Sequence, residues 1–253
     1  VSGYPENYKH DLPQILGLQI LNSTETGVPT AVMDCRWITA VRTAAATAVT
    51  AKYCAKKDSK KIAIIGAGVQ GRMHLLSIKH VLPSLEECHI FDIKENMLDD
   101  YAAQMPAKSN VRVKKFTSIE EVVKDVDIII TCTQRLHKPI IPAGIMKSGM
   151  FGAGLEAGRA WPADIIHGVD KVITDDITQT SSYASAFAGG LPAFYCQLGD
   201  LVNGKPGREN DNEMILAFND GIAAEDISLG QFVYEKAIEK NVGTILPLME
   251  RDF

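Results

Sequence analysis

The chain has no run of 18 apolar residues anywhere in its 253, so no membrane-spanning helix is expected. It has no C-x-x-C and no H-x-x-x-H pair. Its five cysteines (Cys35, Cys54, Cys88, Cys132, Cys196) are odd in number, and its six histidines have no cysteine at ligand spacing. No metal site is expected, and reduced thiols in a cytoplasmic protein are the natural reading. Clusters of basic residues are missing too. The net charge is −5 with Lys and Arg dispersed, so nucleic acid is not an expected partner. A signal-peptide pattern, internal repeats and low-complexity tracts are all lacking. Methionine is missing from position 1: the sequence starts at Val1 in a segment that reads as extended, and its true N-terminus is expected to lie upstream. What is present is ordinary: 46% hydrophobic and 23% charged residues, enough for one large domain or two smaller ones with ample core.

The stretch from Lys60 to Asp92 organises the rest. Ile62–Ile65 is an apolar run of the kind that forms a strand buried on both faces. It leads into Gly66-Ala67-Gly68-Val69-Gln70-Gly71, a G-x-G-x-x-G sequence. An amphipathic helical pattern follows (Met73, Leu75, Leu76, Ile78, Val81), and a second apolar strand, Cys88–Phe91, closes on Asp92. The motif thus stands in strand–turn–helix–strand context with an acid about 20 positions on, as dinucleotide binding requires. Gly66 permits the tight turn, Gly68 lets backbone approach a pyrophosphate, and Gly71 lets helix and strand pack closely. Free N–H groups at the helix start, Val69 and Gln70 included, face the phosphates. Asp92 would accept the adenosine ribose hydroxyls and repel a 2′-phosphate, which favours NAD over NADP; Lys94 close behind it acts against that preference.

Residues 14–21 and 29–33 read as two strands of a hairpin, followed by an alanine-rich helix over Ile38–Ala55 with Thr39 as N-cap and Arg42 in its first turn. Beyond Asp92 the pattern alternates: helix Glu95–Met105, strand Val111–Lys114, helix Ser118–Val123, then strands Asp127–Cys132, Met150–Ala153 and Lys171–Thr174. Such alternation predicts a parallel, doubly wound α/β sheet of Rossmann type. Thr131 and Thr133 flank the carboxyl end of a strand, where ligands collect in such sheets; they either donate to the cofactor or merely cap the strand. Residues 176–212 read as Gly-, Ser- and Pro-rich with short helical pieces such as Leu198–Val202. A strand over Glu213–Phe218, a long helix over Asp220–Asn241 and a strand over 242–248 are expected to close the chain.

The segments TGVPTAVMD (26–34), ITAVRTAA (38–45), IAIIGAGVQGRMH (62–74), DIIITCT (127–133), KVITDDITQT (171–180) and AFNDGIAAEDISLGQFVYEKA (217–237) together resemble the ornithine cyclodeaminase/µ-crystallin family, which also contains alanine dehydrogenases, ketimine reductases and opine-like synthases. The resemblance implies a dinucleotide domain (56–175) inserted into a second α+β domain built from both chain ends (1–55 and 176–253), which carries substrate and dimerises through its sheet. It implies that Arg42 grips the substrate carboxylate and that Thr43, Gln70 and the Asn219-Asp220-Gly221 turn lie near the cofactor. A planar guanidinium pairs a carboxylate bidentately, which lysine cannot do.

Two departures bear on function. The family's catalytic lysine lies in the segment before the one that begins here at Val1. The family's catalytic aspartate follows the strand at 150–153, and Gly154 stands in its place. Glu156 is the nearest carboxylate, with Arg159 after it: either Glu156 takes over the acid/base role, or the two are surface charges in a loop. The expected activity is an NAD(H)-dependent oxidoreductase acting on the C–N bond of an α-amino or α-imino acid, as a homodimer. The alternatives are ornithine cyclodeamination, disfavoured by Gly154, and non-catalytic small-molecule binding of the µ-crystallin kind.

Overall fold

The computed structural model describes residues 1–134 and 136–247. In chain order its elements begin with β1 (Ser2–Gly3), β2 (Ile15–Leu16), β3 (Leu18–Asn22), β4 (Pro29–Asp34) and α1 (Arg36–Cys54). Then come β5 (Lys61–Ile65), α2 (Val69–Val81), β6 (Glu87–Phe91), α3 (Glu95–Ser109), β7 (Arg112–Lys115), α4 (Ile119–Val122), β8 (Ile128–Thr131) and β9 (Phe151–Gly154). The last are α5 (Ala163–Gly168), β10 (Lys171–Thr174), α6 (Ile177–Ser181), β11 (Phe194–Gln197), α7 (Leu198–Val202), β12 (Ile215–Phe218) and α8 (Ala223–Glu239). The chain divides into two compact units, Ala40–Ile222 and the two chain ends, Val1–Thr39 with Ala223 onward. Among the described residues no helix is long and apolar enough to cross a membrane.

In the terminal unit β3 and β4 form an antiparallel ribbon, Ile20 opposite Val32 and Leu18 opposite Asp34. Ser23 Oγ accepts the N–H groups of Glu25 and Thr26 and shapes the turn between them. The single strand expected over 14–21 is broken at Gly17. Residues 15–16 pair antiparallel with β1 instead. A Cβ at Gly17 would stand 2.8 Å from Cys35 Sγ, so only glycine passes there. Gln19 is buried under α8, where its Nε2 donates to Asp226 O at 2.8 Å. The opposite face of the ribbon leaves Leu18, Ile20 and Val32 exposed.

The larger unit is built on eight strands in the order β11-β10-β12-β9-β8-β5-β6-β7. Every adjacent pair is parallel. Strands covered on both faces must be apolar throughout, and alternate residues feed two cores. Ile62, Ile64, Ile128, Ile130, Ile215 and Ala217 pack toward one face with Ala48, Ala51, Leu75 and Tyr101. Ala63, Ile65, Ile129, Leu216 and Phe218 pack toward the other with Val122, Trp161 and Ile165.

Several expectations shift. Helix α1 starts at Arg36, because the Asp34 carboxylate accepts the Arg36 N–H at 2.7 Å. Thr39 is therefore inside the helix and not its N-cap, and Arg42 lies in the second turn. Helix α3 runs past Pro106 to Ser109, four residues beyond the expected end at Met105. Helix α8 starts at Ala223, which leaves Asp220-Gly221-Ile222 as a turn. The strand Ile215–Phe218 is not peripheral: it lies between β9 and β10, fully buried, and β11 in the Gly-rich stretch adds a further strand at the edge. Of the strand expected over 242–248, residues 242–247 form none, and Leu248 lies outside the described residues.

Candidate functional site

Strands β5 and β8 are neighbours, yet the chain leaves β5 toward β6 on one side and returns to β8 on the other. Ligands bind at such a reversal, outside the carboxyl ends of the strands. The Gly turn sits there. Gly66 has φ +115°, and a Cβ on it would meet Cys132 O, at the end of β8, at 2.6 Å. A Cβ on Gly71 would collide with the carbonyl of Gly66, so helix α2 abuts the turn. At Gly68 an added Cβ meets nothing within 4 Å, leaving open space over the start of α2. Gly68 caps that 13-residue helix with no side chain, so its first N–H groups, with Val69 exposed beside them, face outward. Asp92 closes the turn: Oδ2 accepts the Ala67 N–H at 2.8 Å and Oδ1 the Lys94 N–H at 2.9 Å. Each oxygen retains a lone pair for a ribose hydroxyl. The residues present thus fit a dinucleotide pyrophosphate and ribose.

Helix α2 is tied to α1 through His74, which is fully buried. Its Nδ1 lies 2.8 Å from Gln70 O and its Nε2 lies 3.1 Å from Thr47 Oγ1. Burial pushes the imidazole down to about 4, so the ring is neutral, donating from Nδ1 and accepting from Thr47 at Nε2. Thr43 lies one helical turn before Thr47, buried on the same face. The sequence reading missed His74.

The same edge of the sheet gathers the remaining predicted residues. Arg42 packs over the Asn219-Asp220-Gly221 turn: Gly221 has φ +87°, and a Cβ there would collide with the guanidinium. Asp175, after β10, holds the turn by accepting Asn219 Nδ2 at 2.8 Å and the Gly221 N–H at 2.6 Å. Burial raises the Asp175 carboxyl and the Arg42 charge lowers it. Asn219 Nδ2 also reaches Thr50 Oγ1 on α1 at 3.3 Å. Asp175 was not singled out in the sequence; an acid just after a buried strand was its only signal.

Gly154 has a structural reason. A Cβ there would stand 2.8 Å from Trp161 Nε1, and one at Gly152 would stand 2.7 Å from the same indole. The fully buried Trp161 fills the space a side chain at 154 would need, and its Nε1 donates to Thr131 Oγ1 at 3.2 Å. Thr131 is thereby committed to the core, while Thr133 Oγ1 is buried with no hydrogen-bond partner among the described residues. Glu156 is not a surface charge: it is 8% exposed. Its Oε2 accepts the Leu155 N–H at 3.2 Å, and its Oε1 has no partner among the described residues. Burial raises the carboxyl to about 8; the Leu155 N–H opposes this and the neighbouring Asp220 charge adds to it. Glu156 is therefore a neutral acid at pH 7, able to donate a proton. No group of metal-ligating side chains occurs among the described residues. A separate cavity of about 240 Å³, lined by Asp125, Asp127, Lys147 and Ser148 among others, opens by the amino ends of β8 and β9, away from these groups.

The chain is similar to several known proteins. A nodulation efficiency protein of Rhizobium meliloti is 35% identical over 250 residues, which is 97% of this chain and 77% of that one. The structure of Δ1-pyrroline-2-carboxylate reductase of Thermococcus litoralis, in complex with NADH and L-proline, is 32% identical, with TM-score 0.84 over 96% of this chain and 78% of that one. An archaeal alanine dehydrogenase dimer with bound NAD is 27% identical, with TM-score 0.83 over 98% and 79%. The sequence matches the model of one family over residues 1–241, and the chain belongs to it: the ornithine cyclodeaminase/mu-crystallin family.

Proposed function

We propose that the protein is an NAD(H)-dependent oxidoreductase that acts on the C–N bond of a small α-amino or α-imino acid. The observation that carries this reading is the shared edge: the Gly66–Gly71 cradle, the buried acid Glu156 and the Arg42 guanidinium all stand at the carboxyl ends of one run of adjacent strands, β5, β8, β9 and β12. The relatives with bound NADH or NAD support the cofactor. Nicotinamide, when bound, supplies the hydride chemistry; the chain supplies position, charge and a proton.

In this reading Gly66, Gly68, Val69, Gln70 and Gly71 hold the pyrophosphate. Asp92 takes the adenosine ribose, and Thr43, Thr133, Asn219 and Gly221 shape the wall near the reacting end, with Thr131 behind them in the core. Arg42 pairs with the substrate carboxylate and fixes the α-carbon at reacting distance, which supplies much of the rate in such reactions. Glu156, neutral and short of one hydrogen bond, donates a proton to the substrate nitrogen during reduction and receives it back in the oxidative direction. We assign dimerisation to the unit formed by the chain ends, whose ribbon exposes Leu18, Ile20 and Val32.

The test is NADH fluorescence on titration with protein, then NADH consumption with cyclic imino acids and with 2-oxo acids plus amines. Binding followed by consumption is the expected result. Binding with no consumption across the panel contradicts the enzymatic reading and favours a small-molecule-binding protein.

A further inference from the structure

We propose that Asp220 is a positioning residue for Glu156: the two buried carboxyl groups form one coupled pair at the edge of the sheet, from which Glu156 donates to the substrate nitrogen. The proposal rests on the functional reading above for the donor role, and on geometry alone for the pairing.

The backbone sets the pair. Strands β9 and β12 are parallel neighbours with Gly154 opposite Phe218. Glu156 and Asp220 each follow their strand end by two residues, so register brings them to the same level. A hydrogen bond locks this arrangement: the Ala157 N–H donates to Asp220 Oδ1 at 2.9 Å, from the residue next to Glu156. Each carboxyl then has one satisfied oxygen and one that is not. Glu156 Oε1 and Asp220 Oδ2 are both buried and without a partner among the described residues. Two neighbouring buried carboxyl groups cannot both ionise at low cost, and the Asp220 charge raises Glu156.

The surroundings act on both groups. Facing Glu156 are Asp220, the Cys132 thiol and the hydroxyls of Thr131 and Thr133. Facing Asp220 are Asp175, Arg159 and Thr180. Asp175 raises Asp220 and Arg159 lowers it, while burial is the largest influence and lifts it to about 6. Glu156 stands higher, at about 8, so the proton resides there at neutral pH. Arg42 bears on Asp175. The substrate nitrogen, held by its carboxylate at Arg42, is the acceptor. On reduction the proton leaves Glu156 for the nitrogen and solvent restores it; the reduced nicotinamide, which the Gly66–Gly71 cradle would hold, would supply the hydride.

The experiment is carboxyl-carbon NMR titration of the whole protein, wild type, D220N and E156Q, with pH–rate profiles for the same three. The asparagine keeps an oxygen for the Ala157 N–H, so the loop stays tied. Wild type should show two coupled steps. In D220N the Glu156 step should fall by about one unit with the loss of the Asp220 charge, while in E156Q the Asp220 step should not fall, because Glu156 is already neutral where Asp220 titrates. The basic limb of kcat/KM should move down in D220N with the Glu156 step. Glu156 titrating unchanged in D220N overturns the pair. Coupled titration with full turnover retained by E156Q overturns the donor role and, with it, the acid assigned under the proposed function.

Discussion

Arg42 lies directly over Gly221, so close that a Cβ at 221 would collide with its guanidinium. The turn and the arginine were selected by separate features of the sequence, yet each shapes the other. Gly221 also has φ +87°, a conformation that costs alanine roughly 1–2 kcal/mol. Gly221→Ala should therefore displace Arg42 and raise KM for the carboxylate substrate by about tenfold or more, each 1.4 kcal/mol being worth about a factor of ten. NADH affinity should change little. Steady-state kinetics beside an NADH titration measure this, and unchanged KM contradicts the packing described.

A second prediction concerns the cofactor. Asp92 is fixed by the Ala67 and Lys94 N–H groups, so its negative charge stays at the mouth of the turn. NADH should bind more tightly than NADPH, and Asp92→Ala should narrow the difference by about tenfold. Tighter NADPH binding by the wild type would assign Lys94 to a 2′-phosphate instead.

Stability should respond to pH in two opposed ways. His74 is held down to about 4 by burial, below its ordinary value of 6.5. The unfolded chain takes up this proton first, so the contribution is complete above pH 6.5 and lost as pH falls toward 4, about 3 kcal/mol at most. Glu156 is held up at about 8. Here the folded chain keeps the proton longer, so stability is greatest below pH 4.5 and declines as pH rises to 8. Replacing Glu156 with glutamine removes that decline. The variant should gain on the wild type between pH 5 and 8.5, by at most about 5 kcal/mol, in thermal or urea unfolding. A constant difference across that range contradicts the buried neutral acid.

The exposed ribbon carries a fourth prediction. Ile20 and Val32 sit opposite each other on its open face, at 52% and 60% exposure. The protein should be a dimer by light scattering at micromolar concentration. The double variant Ile20→Lys, Val32→Lys should be a folded monomer, because two facing apolar pairs become like charges. A wild-type monomer, or a lysine variant that stays dimeric, contradicts the assignment.

The dinucleotide cradle was legible because its physics is local. Gly66, Gly68, Gly71 and Asp92 lie within one strand–helix–strand unit, where spacing alone fixes their relation. Ile62–Ile65 and Ile128–Thr131 were legible as strands because burial on both faces demands uninterrupted apolar residues. Ile215–Phe218 looks the same in sequence, but its place between β9 and β10 depends on pairings about 40 and 60 residues away, which periodicity does not encode. The Trp161 contact that makes glycine necessary at 152 and 154 is equally non-local. So is the burial of Glu156: a Leu-Glu-Ala-Gly-Arg loop reads as solvent-facing until the neighbouring strand brings Asp220 against it.

The most direct test of the account is Arg42→Lys, assayed for NADH-dependent turnover of the best imino-acid substrate and for NADH binding. Lysine keeps the positive charge but loses the two-pronged geometry that fixes a carboxylate. The account predicts kcat/KM lower by about a hundredfold, the worth of losing roughly 3 kcal/mol of charge-assisted hydrogen bonding, with NADH affinity nearly unchanged. Full activity in the lysine variant, or parallel loss of NADH binding and turnover, would contradict it.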